Sequence, residues 1–232
     1  RDPQRFAFCF FMNEPLADKL PLRDLPINVG GEWRRGRGHA YQSLYPADLC
    51  VSAELHAASA EDATEAVERA HDAFVKTDWA RRKPHERALV LYRIAEAIRA
   101  KREELAHLQR RDNGKPIMET RALVDSAAGT FQFMAAACET LEEQITPQRG
   151  AHITMSVVEP MGVVAAIIPW NMPQFLIVTA LVPALLAGCT VVIKPSPESP
   201  LDAALRKNPE ANRIFTDENV DVSPEDTVAE AT

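Results

Sequence analysis

Apolar positions along this chain follow two periods. Ala63, Ala66, Val67, Ala70 and Phe74 recur every three or four residues, which predicts an amphipathic helix. Ser59, three residues before Asp62, supplies a capping-box start for it. A second helix is predicted after Pro84, with Leu91, Ile94, Ala95 and Ile98 on one face and Leu105 and Leu108 continuing the stripe after a break. Asn113-Gly114-Lys115-Pro116 ends that stretch, because glycine accepts a left-handed cap and proline cannot extend a helix. The alanine-rich residues 121–144 predict a third helix. Residues 163–168 and 190–193 differ in kind: each is a short, continuous apolar run rich in β-branched residues, and a helix-length apolar segment lies between them. Two such strands with a helical crossover make a βαβ unit, since a parallel strand is covered on both faces and needs a long connection.

Elsewhere the pattern is weaker. Residues 27–33, followed by Gly36 and Gly38, read as a short strand and turn, and residues 49–55 as another strand. Gly36-Arg37-Gly38 could open a phosphate loop, but Tyr41 holds the third glycine position and no helix follows, so a turn is the reading. Residues 148–158 alternate loosely, with Ile153, Met155 and Val157 on one side, as an edge hairpin would. Residues 1–24, with Phe6, Phe8, Phe10 and Phe11 before proline-broken segments, are left unassigned as a leader.

Composition narrows the function. The 232 residues are 46% hydrophobic, ample for a core, with a net charge of −7 that disfavours nucleic acid or an anionic membrane as partner. The apolar run at residues 6–12 is far shorter than the roughly 20 residues a membrane helix needs. Cys9, Cys50, Cys138 and Cys189 are widely spaced, which suggests neither zinc nor disulfides and fits a cytoplasmic protein. No histidine pair has ligand spacing, so no metal is expected, and His85 and His107 read as surface groups. After residue 203 the chain changes character: residues 201–232 carry eight acidic against three basic residues, a composition that buries little surface.

Ligands of parallel α/β sheets bind beyond the carboxyl ends of the strands. Here those ends carry Trp170, Asn171 and Lys194. Asn171 has two readings, a side-chain amide donor facing that crevice or the N-cap of the helix that follows. Lys194 is a crevice cation or an ordinary exposed lysine. Ile168, Pro169 and Trp170 either line the crevice or close the core.

At these residues the chain resembles the aldehyde dehydrogenase superfamily. The paired motifs are Ile-Ile-Pro-Trp-Asn-Met-Pro at residues 167–173 and Val-Val-Ile-Lys-Pro-Ser-Pro-Glu-Ser-Pro at residues 191–200. Residues 27–33, 57–67, 112–116 and 157–164 follow the family's order, so the resemblance spans roughly residues 25–203. It implies an α/β fold, an incomplete Rossmann-like parallel sheet with N-terminal helices and a β-hairpin arm at about residues 147–160 that joins subunits into a homo-oligomer. It also implies oxidation of a small-molecule aldehyde to a carboxylic acid, with NAD or NADP as hydride acceptor.

By the same match Asn171 is the catalytic residue that donates to the developing oxyanion. Ile168, Pro169, Trp170, Lys194, Ser196 and Glu198 are the cofactor-binding residues, with Lys194 bonding the adenosine ribose. Where many relatives have an acidic residue three positions after that lysine, this chain has Pro197, with Glu198 one place later. That weakens a preference for NAD over NADP, because a carboxylate at the 2′-hydroxyl would repel a 2′-phosphate. The family's Gly-Gln-x-Cys and Glu-Leu-Gly-Gly contexts do not occur. A truncation or frameshift near residue 204, with 204–232 a divergent tail, is the expectation. No aldehyde oxidation by the 232 residues alone is expected; NADH formation from aldehyde by the purified chain checks this. The alternative is a non-catalytic remnant that binds cofactor or a partner.

Overall fold

The computed structural model describes residues 22–201 apart from residue 149. The expectations for the leader up to residue 21 and for the acidic tail from residue 202 fall outside those residues. Two small layers of strand flank a helical core. Strands β1 (Leu22–Leu25), β5 (Val51–His56) and β4 (Ala40–Leu44) form one sheet in that order, β1 parallel and β4 antiparallel to β5. Between them β2 (Ile27–Val29) and β3 (Glu32–Arg34) make a hairpin with Val29 opposite Glu32. The two-residue turn is Gly30-Gly31, with φ of 60° and 89°, the positive values that let a hairpin follow the twist of its strands.

Helix α1 (Ala60–Lys76) starts as expected, with Asp62 N–H donating to Ser59 Oγ at 3.2 Å and Ser59 N–H returning to the Asp62 carboxylate at 2.9 Å. A short 3₁₀ turn (Trp79–Arg81) leads to α2 (Pro84–Ala100), and after a one-residue break α3 (Arg102–Asn113) continues. Gly114, at φ 74°, takes the left-handed C-cap, and its N–H reaches the Arg110 carbonyl at 2.8 Å. The third predicted helix is displaced: α4 runs Ile117–Glu139, because Pro116 is preorganised to precede a first turn and Thr140 caps the end. The arm is displaced too. Its strands are β6 (Gln144–Ile145) and β7 (Met155–Ser156), so the hairpin begins before residue 147, and its apolar side chains are exposed.

The βαβ unit forms as the pattern demands. Strand β8 (Val163–Ile167), helix α5 (Pro173–Leu186) and strand β9 (Thr190–Lys194) fold so that β8 and β9 pair in parallel, Val163 opposite Thr190 and Ile167 opposite Lys194. This pair packs between α1 on one side and α5 on the other. Thr190 Oγ1 donates to the Ala70 carbonyl of α1 at 2.9 Å, across 120 residues of sequence.

The largest core cluster joins three helices: Leu91 and Ile94 of α2, Phe131 and Ala135 of α4, and Leu181 and Val182 of α5. A second joins Leu25, Ala53 and Leu55 of the three-stranded sheet to Leu108 of α3 and to Leu201. The sequence pattern missed β1 and β4, which are short and carry few apolar residues. It also placed His107 on the surface, whereas its side chain is only 16% exposed, because α3 turns that face toward its neighbours. The expectation of no disulfide fails as well: Cys138 and Cys189 are free, but Cys50 is disulfide-bonded. Among the described residues no helix is long and apolar enough to cross a membrane.

Candidate active site at the strand ends

The carboxyl ends of β8 and β9 lie side by side, closed by Ile168 N–H donating to the Lys194 carbonyl at 3.0 Å. The predicted residues follow directly after that bond in each of the two connections. Ile168 is buried, so its side chain closes the core, while Pro169, Trp170 and Asn171 are exposed, Trp170 at 56%. Lys194, at the end of β9, is exposed, and among the described residues its Nζ reaches only its neighbour's carbonyl, that of Pro195, at 3.2 Å. Strand pairing thus brings Trp170, Asn171 and Lys194 to one edge.

The cap reading of Asn171 does not hold. The N-cap of α5 is Met172, no side chain caps it, and Pro173 occupies the first helical position, where a missing N–H costs nothing. Among the described residues the Asn171 side chain makes no hydrogen bond, so both donors of its amide are available to a ligand.

Ser196 and Glu198 behave differently from the exposed residues. Ser196 is buried at 7%, and its Oγ accepts from Glu198 N–H at 3.3 Å, while Ser199 N–H donates to the Ser196 carbonyl at 3.2 Å. Ser196 therefore shapes a tight turn, and the Glu198 side chain stays exposed. Two residues that the sequence reading gave no role complete this turn. Ser199, fully buried, donates its hydroxyl to Asp112 Oδ2 of α3 at 2.9 Å, and Asp112 is itself only 2% exposed. A signal was present: an aspartate two residues before a C-capping glycine opposes the helix dipole and needs a reason to be there. Tyr41 of β4 senses the same site, its phenol pushed up to about 12 by burial and then by the Asp112 and Glu198 carboxylates.

Neither free thiol belongs to this edge. Cys189 is buried at the amino end of β9, opposite the crevice. Cys138 sits in the helical core with Sγ 3.4 Å from the Pro84 carbonyl, and burial pushes its pKa up despite the nearby Arg87 guanidinium, the reverse of what a nucleophile needs. The arrangement offers amide and ammonium donors beside an aromatic face, a set suited to a nucleotide and to a developing oxyanion.

Known proteins carry the same architecture. Residues 33–207 match the model of the aldehyde dehydrogenase family. Aminoacetaldehyde dehydrogenase of Pseudomonas aeruginosa is 36% identical over 189 residues, which cover 81% of this chain and 38% of that protein. The NADP/NAD-dependent aldehyde dehydrogenase PuuC of Escherichia coli is 33% identical over 177 residues, covering 75% and 36%. Among solved structures, an aldehyde dehydrogenase from Bacillus cereus superposes with a TM-score of 0.79 at 30% identity, over 87% of this chain and 40% of that one. The chain thus spans well under half the length of the relatives it matches. With most of its sequence inside the family match and a relative 36% identical over 81% of its length, this chain belongs to the aldehyde dehydrogenase family.

Proposed function

We propose that these residues form the cofactor face and oxyanion donor of an NAD(P)-dependent aldehyde dehydrogenase, the rest of the chemistry being supplied by sequence that this chain does not contain. The observation that carries the reading is Asn171: exposed, without a side-chain hydrogen bond among the described residues, and at the same end of a parallel strand pair as Trp170 and Lys194. An uncharged amide donor at that position strengthens its hydrogen bond as an aldehyde carbonyl gains negative charge, without competing for the proton. Lys194 holds a ribose by hydrogen bonds from its ammonium, and Trp170 shields the crevice from water. A bound nicotinamide cofactor would supply the hydride acceptor. The sequence has no Gly-Gln-x-Cys context, and its two free described thiols are buried away from the crevice. Orientation and charge stabilisation are therefore the contributions of this chain.

The substrate class is a small aldehyde, in keeping with the activities for which both relatives are named. A net charge of −7 argues against nucleic acid as a partner. The arm from β6 to β7 is our candidate for subunit contact, since Ile145, Ile153, Met155 and Val158 are all more than half exposed.

Titration of the purified chain with NADH and NADPH tests the reading, with Trp170→Phe identifying the responding indole against Trp33 and Trp79. Saturable quenching is expected, weakened about tenfold by Lys194→Ala, the order of one charge-assisted hydrogen bond. A folded chain that binds neither nucleotide would show that the fold persists without cofactor function, the role of a non-catalytic remnant.

A further inference from the structure

We propose that Asp112 and Ser199 are positioning residues for the cofactor face, holding the turn after β9 so that Lys194 stays at the mouth of the crevice. This rests on the reading of that crevice as a nucleotide site. The segment from Lys194 to Ser199 is fixed at both ends. At one, the Lys194 carbonyl accepts from Ile168 N–H at 3.0 Å; at the other, Ser199 Oγ donates to Asp112 Oδ2 at 2.9 Å. Between them the Ser196–Ser199 turn is closed by its own hydrogen bonds, and Pro195 and Pro197 remove much of its remaining freedom. Just beyond, Leu201 is fully buried against Leu25, Ala53, Leu55 and Leu108.

The cost of this anchor argues for its use. A carboxylate in the last turn of α3 meets the negative end of the helix dipole and is also taken out of water. An apolar residue at position 112 would pack α3 at less expense, but it would give the Ser199 hydroxyl no acceptor. The contact spans 87 residues and ties the strand-end turn to α3, an element on which the three-stranded sheet also packs through Leu108. No side chain of this anchor touches the crevice. Its effect on binding passes through Lys194 and the turn that follows it.

The experiment uses the whole 232-residue chain, with NADH titration and amide hydrogen exchange at Glu198 and Ser199 measured on Ser199→Ala, Ser199→Thr and Lys194→Ala. Ser199→Ala is expected to weaken NADH binding about tenfold, equivalent to 1.4 kcal/mol, and to speed exchange at both amides. Ser199→Thr, which keeps the hydroxyl, should restore both. Adding Lys194→Ala to Ser199→Ala should cost less than it does alone, because the two act in series. Parent-like NADH affinity in Ser199→Ala would overturn the proposal, even if that variant were less stable, while the reading of the site would survive through the Lys194→Ala effect. Failure of the unaltered, folded chain to bind NADH would overturn both.

Discussion

Phe131→Ala is expected to lower the unfolding free energy by about 3–5 kcal/mol, the range for truncating a fully buried phenylalanine. Phe131 is 1% exposed and lies in the cluster where α2, α4 and α5 meet, with Leu91 and Val182 both at 0%. Helices from three directions cannot all shift to fill the space, so the cavity term adds to the lost transfer energy. Urea unfolding measures it, as a fall in midpoint at constant slope. Phe133, two residues along the same helix and 71% exposed, is the control, since Phe133→Ala should stay within about 0.5 kcal/mol of the parent. Similar losses in the two variants would contradict the packing of α4.

The second large effect belongs to Asp62. Its carboxylate accepts from Ser59 N–H and Arg37 N–H, each at 2.9 Å, and from Arg34 Nη2 at 3.1 Å, with its side chain fully buried. One group therefore caps α1 and ties the segment after the β2–β3 hairpin to that helix. Burial alone pushes its pKa up, but the Ser59 and Arg37 N–H donors and the two guanidiniums together outweigh it, leaving it below the ordinary 3.8. Glu65, bonded by Arg34 and Arg37, is likewise depressed, first by the Arg34 hydrogen bond.

Asp62→Asn should cost about 2–3 kcal/mol at neutral pH, because it keeps the shape of the cap but removes the charge that two arginines face. The pH dependence has a definite sign. A carboxylate with a depressed folded pKa contributes its stability above the unfolded value, and that contribution is lost as pH falls through the folded one. Parent stability should hold from neutral pH down to about 5 and decline below about 4, whereas Asp62→Asn should decline less steeply. Thermal unfolding between pH 3 and 7 measures this, and parallel profiles would exclude Asp62 as the source.

Legibility in the sequence followed the strength of local constraint. The βαβ unit could be read because a parallel strand pair packed between helices favours continuous apolar runs, although Ile167 is left 77% exposed here, and the ends of those runs marked the edge that carries Trp170, Asn171 and Lys194. Ser59 and Gly114 marked helix ends because caps depend on the chemistry of single residues. Strand β4, by contrast, is Ala-Tyr-Gln-Ser-Leu, and only its pairing with β5 makes it a strand. Of the two readings of Asn171, the cap misses by one position, since proline at the first helical position moves the cap to Met172. The sequence marks Asp112 as unusual near a helix C-terminus, but that its partner is Ser199, 87 residues on, depends on tertiary structure and could not be read.

The hydrogen bond from Thr190 to Ala70 has a consequence for the order of folding. The α2–α3–α4 segment can collapse early, since its contacts close short loops and local closures are fast. Strand β9 cannot dock until the chain between it and α1 has ordered, and it arrives late on a growing polypeptide. The entropic cost of that long closure rises only slowly with length, so the delay comes from waiting for a folded surface more than from distance. Docking of β9 on α1 is therefore expected after the helices have packed, and slow refolding phases should report on the strand pair rather than on the helices.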